Sequence, residues 1–220
     1  MKPRWLIGIV AACWGWAQTP TPTPQEILDS IQAEMHGRMD REEAVPNDVL
    51  PRPLQPTGQT VSVARLRHKV PRAAQAFYRK AQKESRAGRY QQAAVELEAA
   101  LRRDPEFAEA HTLLGVEYTR LERNRDAEAA LGRALELDPN SATAHYYMAL
   151  VRYRFGDLAE AEQSARRAVQ QAPASAWPQF FLGYLLYPHE ESRPEALQHL
   201  RYAARALPEA KEFLKSFDRR

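Results

Sequence analysis

The sequence repeats itself every 34 residues, and that period constrains the fold more than any other feature it carries. Small residues recur at Ala81, Gly115, Ala149 and Gly183, and alanines recur at Ala93, Ala127, Ala161 and Ala196. Further along each unit come Leu97, Leu131, Ala165 and Leu200, then Ala100, Ala134, Ala168 and Ala203, then Pro105, Pro139, Pro173 and Pro208. Ala165 alone departs from its series, and the last unit contains one extra residue. Apolar residues at helical spacing predict two helices per unit. The first helices fall over 74–87, 108–121, 142–155 and 176–187, the second over 91–104, 125–138, 158–171 and 194–206. Gly88 and Gly156 lie between the two, where a backbone without Cβ reverses direction. The small residue belongs where the helices cross, since a larger side chain would push the backbones apart. Each proline removes a donor and biases its predecessor away from helix, which ends the unit. With 36 alanines and only 9 glycines, helix formers dominate and an all-β fold is excluded.

These positions resemble four tetratricopeptide repeats over residues 74–208. The second unit follows the pattern best, with Leu114, Gly115, Tyr118, Ala127, Leu131, Ala134 and Asp138-Pro139 in order. Phe77, His111, His145 and Gln179 replace the usual Trp, and Pro188, the inserted residue and Pro194 predict a distorted turn in the fourth unit. The expected architecture is all-α, a right-handed solenoid of helix-turn-helix repeats over 74–107, 108–141, 142–175 and 176–208. Stacking makes such units stable, because one repeat cannot bury its own apolar faces. A short capping helix is expected at 209–217, where Phe213, Leu214 and Phe217 share a face.

The resemblance implies that the first helices line a concave groove that binds peptides or partner segments. Its slots would be Gln75, Tyr78, Gln82, Ser85 and Arg86 in the first repeat and Glu109, Thr112, Val116, Thr119 and Arg120 in the second. In the third they become Tyr146, Leu150, Tyr153 and Arg154, and in the fourth Trp177, Phe180, Tyr184 and Tyr187. Aromatic residues and arginine carry much of the energy of protein interfaces. Arg86, Arg120 and Arg154 recur at the same period, an arrangement that would align three guanidinium groups for an acidic or carboxylate-bearing ligand. The alternative is that a basic residue occupies this slot whatever the ligand. Chaperone-tail binders of the family use a Lys and Asn clamp, and here Tyr78 and Gln82 stand in the corresponding region.

No nucleophile elbow, phosphate-cradling glycine loop, HExxH motif or spaced carboxylate pair occurs, so the expected role is binding and not catalysis. No cofactor or metal is expected. His111 and His145 lie one repeat apart, but two ligands without a third make a poor metal site, and packing is the expected role. His36, His68, His189 and His199 follow no ligand spacing. A single cysteine, Cys13, excludes a disulfide framework and a cysteine-based zinc site.

Lys2 and Arg4 precede the apolar run 5–12, and Gly15 and Ala17 frame a cleavage site before Gln18, so residues 1–17 read as a secretory signal peptide. The run is too short for a permanent membrane span. Val10, Ala11, Ala12 and Cys13 also resemble a bacterial lipobox, which would make Cys13 the lipidated first residue; the early cysteine and the following Trp14, Gly15 and Trp16 count against it. Removing 1–17 leaves 29 basic and 28 acidic residues, a net charge of +1, and the charges alternate along the helices. Nucleic-acid binding is therefore not expected. Residues 18–72 hold eight prolines and read as an extended linker. Within it, Thr23, Pro24 and Glu26 begin a candidate helix over 24–40 with Ile27, Leu28, Ile31 and Met35 on one stripe. Residues 59–67 show partial alternation that suits a short extended strip.

The expected function is an exported, non-catalytic scaffold, placed in the periplasm or outside the cell, that holds a protein partner in the groove. Two alternatives stand beside it. One is an envelope lipoprotein, anchored through Cys13, that assists assembly of a pilus, secretion or outer-membrane complex. The other is an autoinhibited regulator whose 24–40 helix occupies the groove.

Overall fold

The computed structural model describes residues 68–218, with side chains up to Lys215. The signal peptide, Cys13, the 24–40 helix and the 59–67 strip lie outside the described residues. Among the described residues there are nine helices and no strand. They are α1 (Arg72–Arg86), α2 (Tyr90–Arg103), α3 (Ala108–Arg120), α4 (Asn124–Leu137), α5 (Ala142–Phe155), α6 (Leu158–Gln171), α7 (Ala176–Leu186), α8 (Arg193–Ala203) and α9 (Pro208–Asp218). Helices pack as consecutive pairs, α1 with α2 through α7 with α8, and each second helix packs on the next first helix. The last element, α9, lies on α8. This is the helix-pair solenoid expected from the period.

The small slots explain how closely each pair approaches. A Cβ built on Gly115 would stand 2.4 Å from Leu131 Cγ, and one on Gly183 would stand 2.9 Å from the Ala196 carbonyl oxygen and 2.8 Å from Leu200 Cγ. Leucine from the second helix thus occupies the space that glycine leaves open on the first. In the third pair both slots hold alanine, and Ala149 and Ala165 are fully buried. The missing bulk at Ala165 is accompanied by a Cβ at the opposing slot.

The turn inside each of the first three pairs depends on one left-handed residue. Gly88 and Gly156 have φ of +71° and +84°, and Glu122 takes the same place in the second pair with φ of +59°. The fourth pair turns through 187–192, with Pro194 in the first turn of α8, where a missing N–H costs no helical bond. Its insertion and two prolines go with a turn longer than those of the other pairs, as expected, between two helices that still pack as a pair. Helix α8 ends at Ala203 instead of 206, because 204–206 form a turn in which the Leu207 N–H donates to the Ala203 carbonyl at 2.8 Å.

The turns between pairs share a second device. The Asp104 and Asp138 side chains are buried and accept N–H bonds from Glu106 at 3.2 Å and Asn140 at 3.3 Å. One residue later, the prolyl carbonyl accepts a bond from the next helix: Pro105 from His111 Nε2 at 2.9 Å, Pro139 from His145 Nε2 at 2.9 Å. Pro173 does the same with Gln179 Nε2 at 2.8 Å. A carbonyl can only accept, so both histidines carry their proton on Nε2. Burial holds the pKa of both imidazoles below the ordinary histidine value, against the opposing effect of that backbone bond.

Candidate functional site

The first helices place the groove slots of successive repeats side by side, and stacking decides how much of each side chain remains at the surface. In α1, Tyr78 is half-buried with its ring 4.9 Å from Phe107, Gln82 is half-buried, and Arg86 is exposed. In α3, Thr112 is half-buried and its hydroxyl donates to the Ala108 carbonyl at 3.1 Å, while Val116 is buried. The slots on this side hold mostly polar side chains beside Tyr78 and the buried Val116.

The third and fourth helix pairs differ. Tyr146 and Tyr153 of α5 meet Phe181 of α7 edge-on at 6.2 and 5.8 Å, and Tyr153 also meets Tyr184 at 5.9 Å with their hydroxyls 3.2 Å apart. Phe213 of α9 closes the cluster against Phe180, Tyr184 and Tyr187, all near 5.9 Å. Trp177 stands edge-on to Phe180 at 6.2 Å. Leu150, Tyr153, Trp177, Tyr184 and Tyr187 stay half-buried and keep part of their surface in solvent. Tyr146 and Phe180 do not: they are 5 % and 4 % exposed. Burial raises the Tyr146 phenol well above the ordinary tyrosine pKa, so it stays protonated. Val116, Tyr146 and Phe180 are therefore packing residues behind the groove wall and not contact residues.

The expected arginine ladder is also corrected. The Arg120 side chain is only 6 % exposed. Its Nη1 donates to Ser85 Oγ at 3.0 Å and to Glu117 Oε1 at 3.1 Å, and its guanidinium lies 4.9 Å from the Tyr90 ring centre. Arg154 donates to the Thr119 carbonyl at 2.9 Å and to Asn124 Oδ1 at 3.0 Å. Each reaches back to the repeat before its own, so the 34-residue spacing of these arginines serves the stacking of repeats. Arg86 lies in the first described helix, and it alone of the three is exposed.

Sequence reasoning missed Glu117 and Phe181, and it read Ser85 only as a groove slot. Glu117 is fully buried, accepts from Ser85 Oγ at 2.7 Å as well as from Arg120, and has its pKa raised by burial, with the two partners opposing that shift. Its signal was present as an acid three residues before a groove arginine, an i,i+3 pair. Phe181 sits one slot outside the groove series, yet it joins α5 to α7. Among the described residues no group of three or more His, Cys, Asp or Glu side chains is placed to hold a metal ion, and no helix is long and apolar enough to cross a membrane.

Residues 78–120 and 113–176 match the tetratricopeptide repeat family. The fourth helix pair lies beyond that match. Among solved structures, the chain is similar to the crystal structure of MamA, with 21 % identity and a TM-score of 0.54 over 64 % of this chain and 81 % of that one. It is similar to the MamA RS-1 ArsTM double mutant, with 22 % identity and a TM-score of 0.53 over 61 % and 75 % of the two chains. It is also similar to YrrB, described as a TPR protein with an unusual peptide-binding site, with 28 % identity and a TM-score of 0.53 over 65 % of this chain and 75 % of that one. No curated protein matches the chain significantly.

Proposed function

We propose that this tetratricopeptide-repeat chain is an exported, non-catalytic scaffold that holds a segment of a partner protein in the part of its groove built by repeats three and four. The observation that carries this reading is the row of half-buried side chains Leu150, Tyr153, Trp177, Tyr184 and Tyr187. The aromatic members are already packed edge-on against neighbours, so they lose little rotamer freedom when a ligand covers the rest of their surface. The likeness to YrrB, which has a peptide-binding site, supports a peptide or protein ligand. Export rests on the charged and apolar N-terminus, and analysis of the native N-terminus tests it. A chain starting at Gln18 is the expected form; a diacylated Cys13 would identify the anchored lipoprotein instead.

The groove reading is tested by a cross-linked pull-down from native envelopes. The intact protein is compared with a Leu150→Ala, Tyr153→Ala, Trp177→Ala variant shown by circular dichroism to be folded. Tyr146 is left intact because its truncation would open a cavity. A partner held by the intact protein and lost from the variant is the expected result, each anchor costing about 2 kcal/mol or roughly 30-fold in Kd. Equal capture by both would reject the groove.

A further inference from the structure

Beyond the groove, α1 presents a second surface. In the 34-residue register, Ala110, Leu113 and Glu117 of α3 correspond to Ala144, Tyr147 and Val151 of α5 and to Pro178, Phe181 and Leu185 of α7. All nine are buried, because this is the face that a first helix turns toward the preceding repeat. In α1 the same slots hold Ala76, Arg79 and Lys83, all exposed. Arg72 and Arg86 extend the row of cations. Arg72, Arg79, Lys83 and Arg86 fall within about 60° of arc along about 21 Å of helix.

These four side chains form no ion pair with another described residue. Neighbouring charges are already matched: Lys80 holds Glu96 at 2.6 Å, and Glu84, the carboxylate near Lys83, is held by Arg89. Stacking a further repeat on this end would bury four cations without counter-charge, at several kcal/mol each. A segment that docks on this face without leaving buried cations unpaired is anionic.

We propose that residues 40–48 of this same chain dock along the α1 stripe. That run carries Asp40, Glu42, Glu43 and Asp48 against the single base Arg41, four negative charges less one, or −3. It lies 24 positions before Arg72, and a chain of that length spans up to about 80 Å, so reach sets no limit. The tether gives it an effective concentration of order millimolar, which an unattached acidic segment must outcompete. His68 Nε2, 2.8 Å from Asp104 Oδ2, fixes where the upstream chain meets the solenoid, four residues before the stripe begins. The docked run offsets three of the four positive charges of this face, which is distinct from the groove slots of the third and fourth helix pairs.

Zero-length carbodiimide coupling, which joins carboxylates to lysine amines in contact, tests this on the full chain mixed from isotopically light and heavy copies. Peptide mapping should show Lys83 joined to a carboxylate of residues 40–48 within one copy. The product should disappear at 1 M salt, where screening acts over about 3 Å, and in an Asp40→Asn, Glu42→Gln, Glu43→Gln, Asp48→Asn variant. The Lys80–Glu96 pair, joined in every sample, serves as the internal standard for a folded chain. In the variant, Lys83 should also be acetylated faster than in the wild type. If the standard forms while Lys83 couples to none of these carboxylates, the proposal is overturned. Coupling only between light and heavy copies overturns it in favour of a second copy, and an unchanged acetylation rate overturns it as well.

Discussion

At the residue scale, Glu122 occupies a left-handed conformation that the first and third repeats assign to glycine. A side chain there costs roughly 1–2 kcal/mol of steric strain, partly offset by the backbone entropy that glycine loses on folding. Glu122→Gly is therefore expected to raise stability by about 0.5–1 kcal/mol, read from the urea midpoint. Two other single residues couple the fold to pH. The pKa values of His111 and His145 are lowered from 6.5, first by desolvation; Arg133 and Arg167 respectively push in the same direction, while Asp104 and Glu136, and Asp138, oppose it. The unfolded chain then binds more protons than the folded one, so this stabilisation is fully present above pH 6.5 and is lost as pH falls through the lower folded values. Gln179 makes the same prolyl bond without titrating. A His111→Gln, His145→Gln variant should keep the fold and show a flatter thermal midpoint between about pH 7 and pH 5 than the wild type. Equal slopes would rule out these histidines as its source.

At the element scale, the Glu117–Arg120 pair, shielded from solvent, joins α3 to α1 through Ser85 and to α2 through Tyr90. Removing one member leaves the other charge shielded and unpaired, so Glu117→Ala should destabilise the fold by about 3–5 kcal/mol. The Glu117→Ala, Arg120→Ala double variant should cost less than the sum of its parts, and strict additivity in the cycle would deny the coupling. The pair also shows why the arginine slot misleads when read from sequence. The repeat template marks which way residue 120 points within its own helix, but the acceptors that claim it include one from the repeat before.

At the scale of the whole molecule, α9 packs on the fourth helix pair and covers its aromatic residues. Helix α9 supplies Phe213 in the slot that Pro178 holds in α7, counting the extra residue of the last unit, and so packs on the fourth pair as a first helix packs on the pair before it. Deleting residues 208–220 should uncover Phe180, Tyr184 and Tyr187, lower the thermal midpoint by several degrees, and increase binding of a hydrophobic dye. An unchanged midpoint would mean that α9 does not act as a cap. Because each repeat contacts only its neighbours, the loss should fall mostly on the fourth pair and leave the first two little affected.

The sequence alone determined the helix pairs, their turns and their order, because those depend on local properties: helical spacing, a Cβ-free residue at a crossing, a proline after the second helix. It also placed His111 and His145 as packing residues, since they occupy a slot whose environment the repeat itself defines. Helix ends were read to within a few residues, and the turn of the fourth pair is longer than the others, as its insertion and prolines implied. Tertiary structure decided how much of each slot residue stays at the surface. Val116 shares a repeat slot with Leu150 and Tyr184, and Tyr146 and Phe180 share one with Thr112. Neighbouring rings and helices nonetheless cover Val116, Tyr146 and Phe180 and leave the others half open. Tertiary structure also decided that Arg120 and Arg154 are held by the repeats before them, while Arg86 in the first described helix is exposed. A 34-residue template assigns one environment to each slot, but exposure and charge pairing depend on what stacks above and below, and at the ends of a solenoid the neighbour changes.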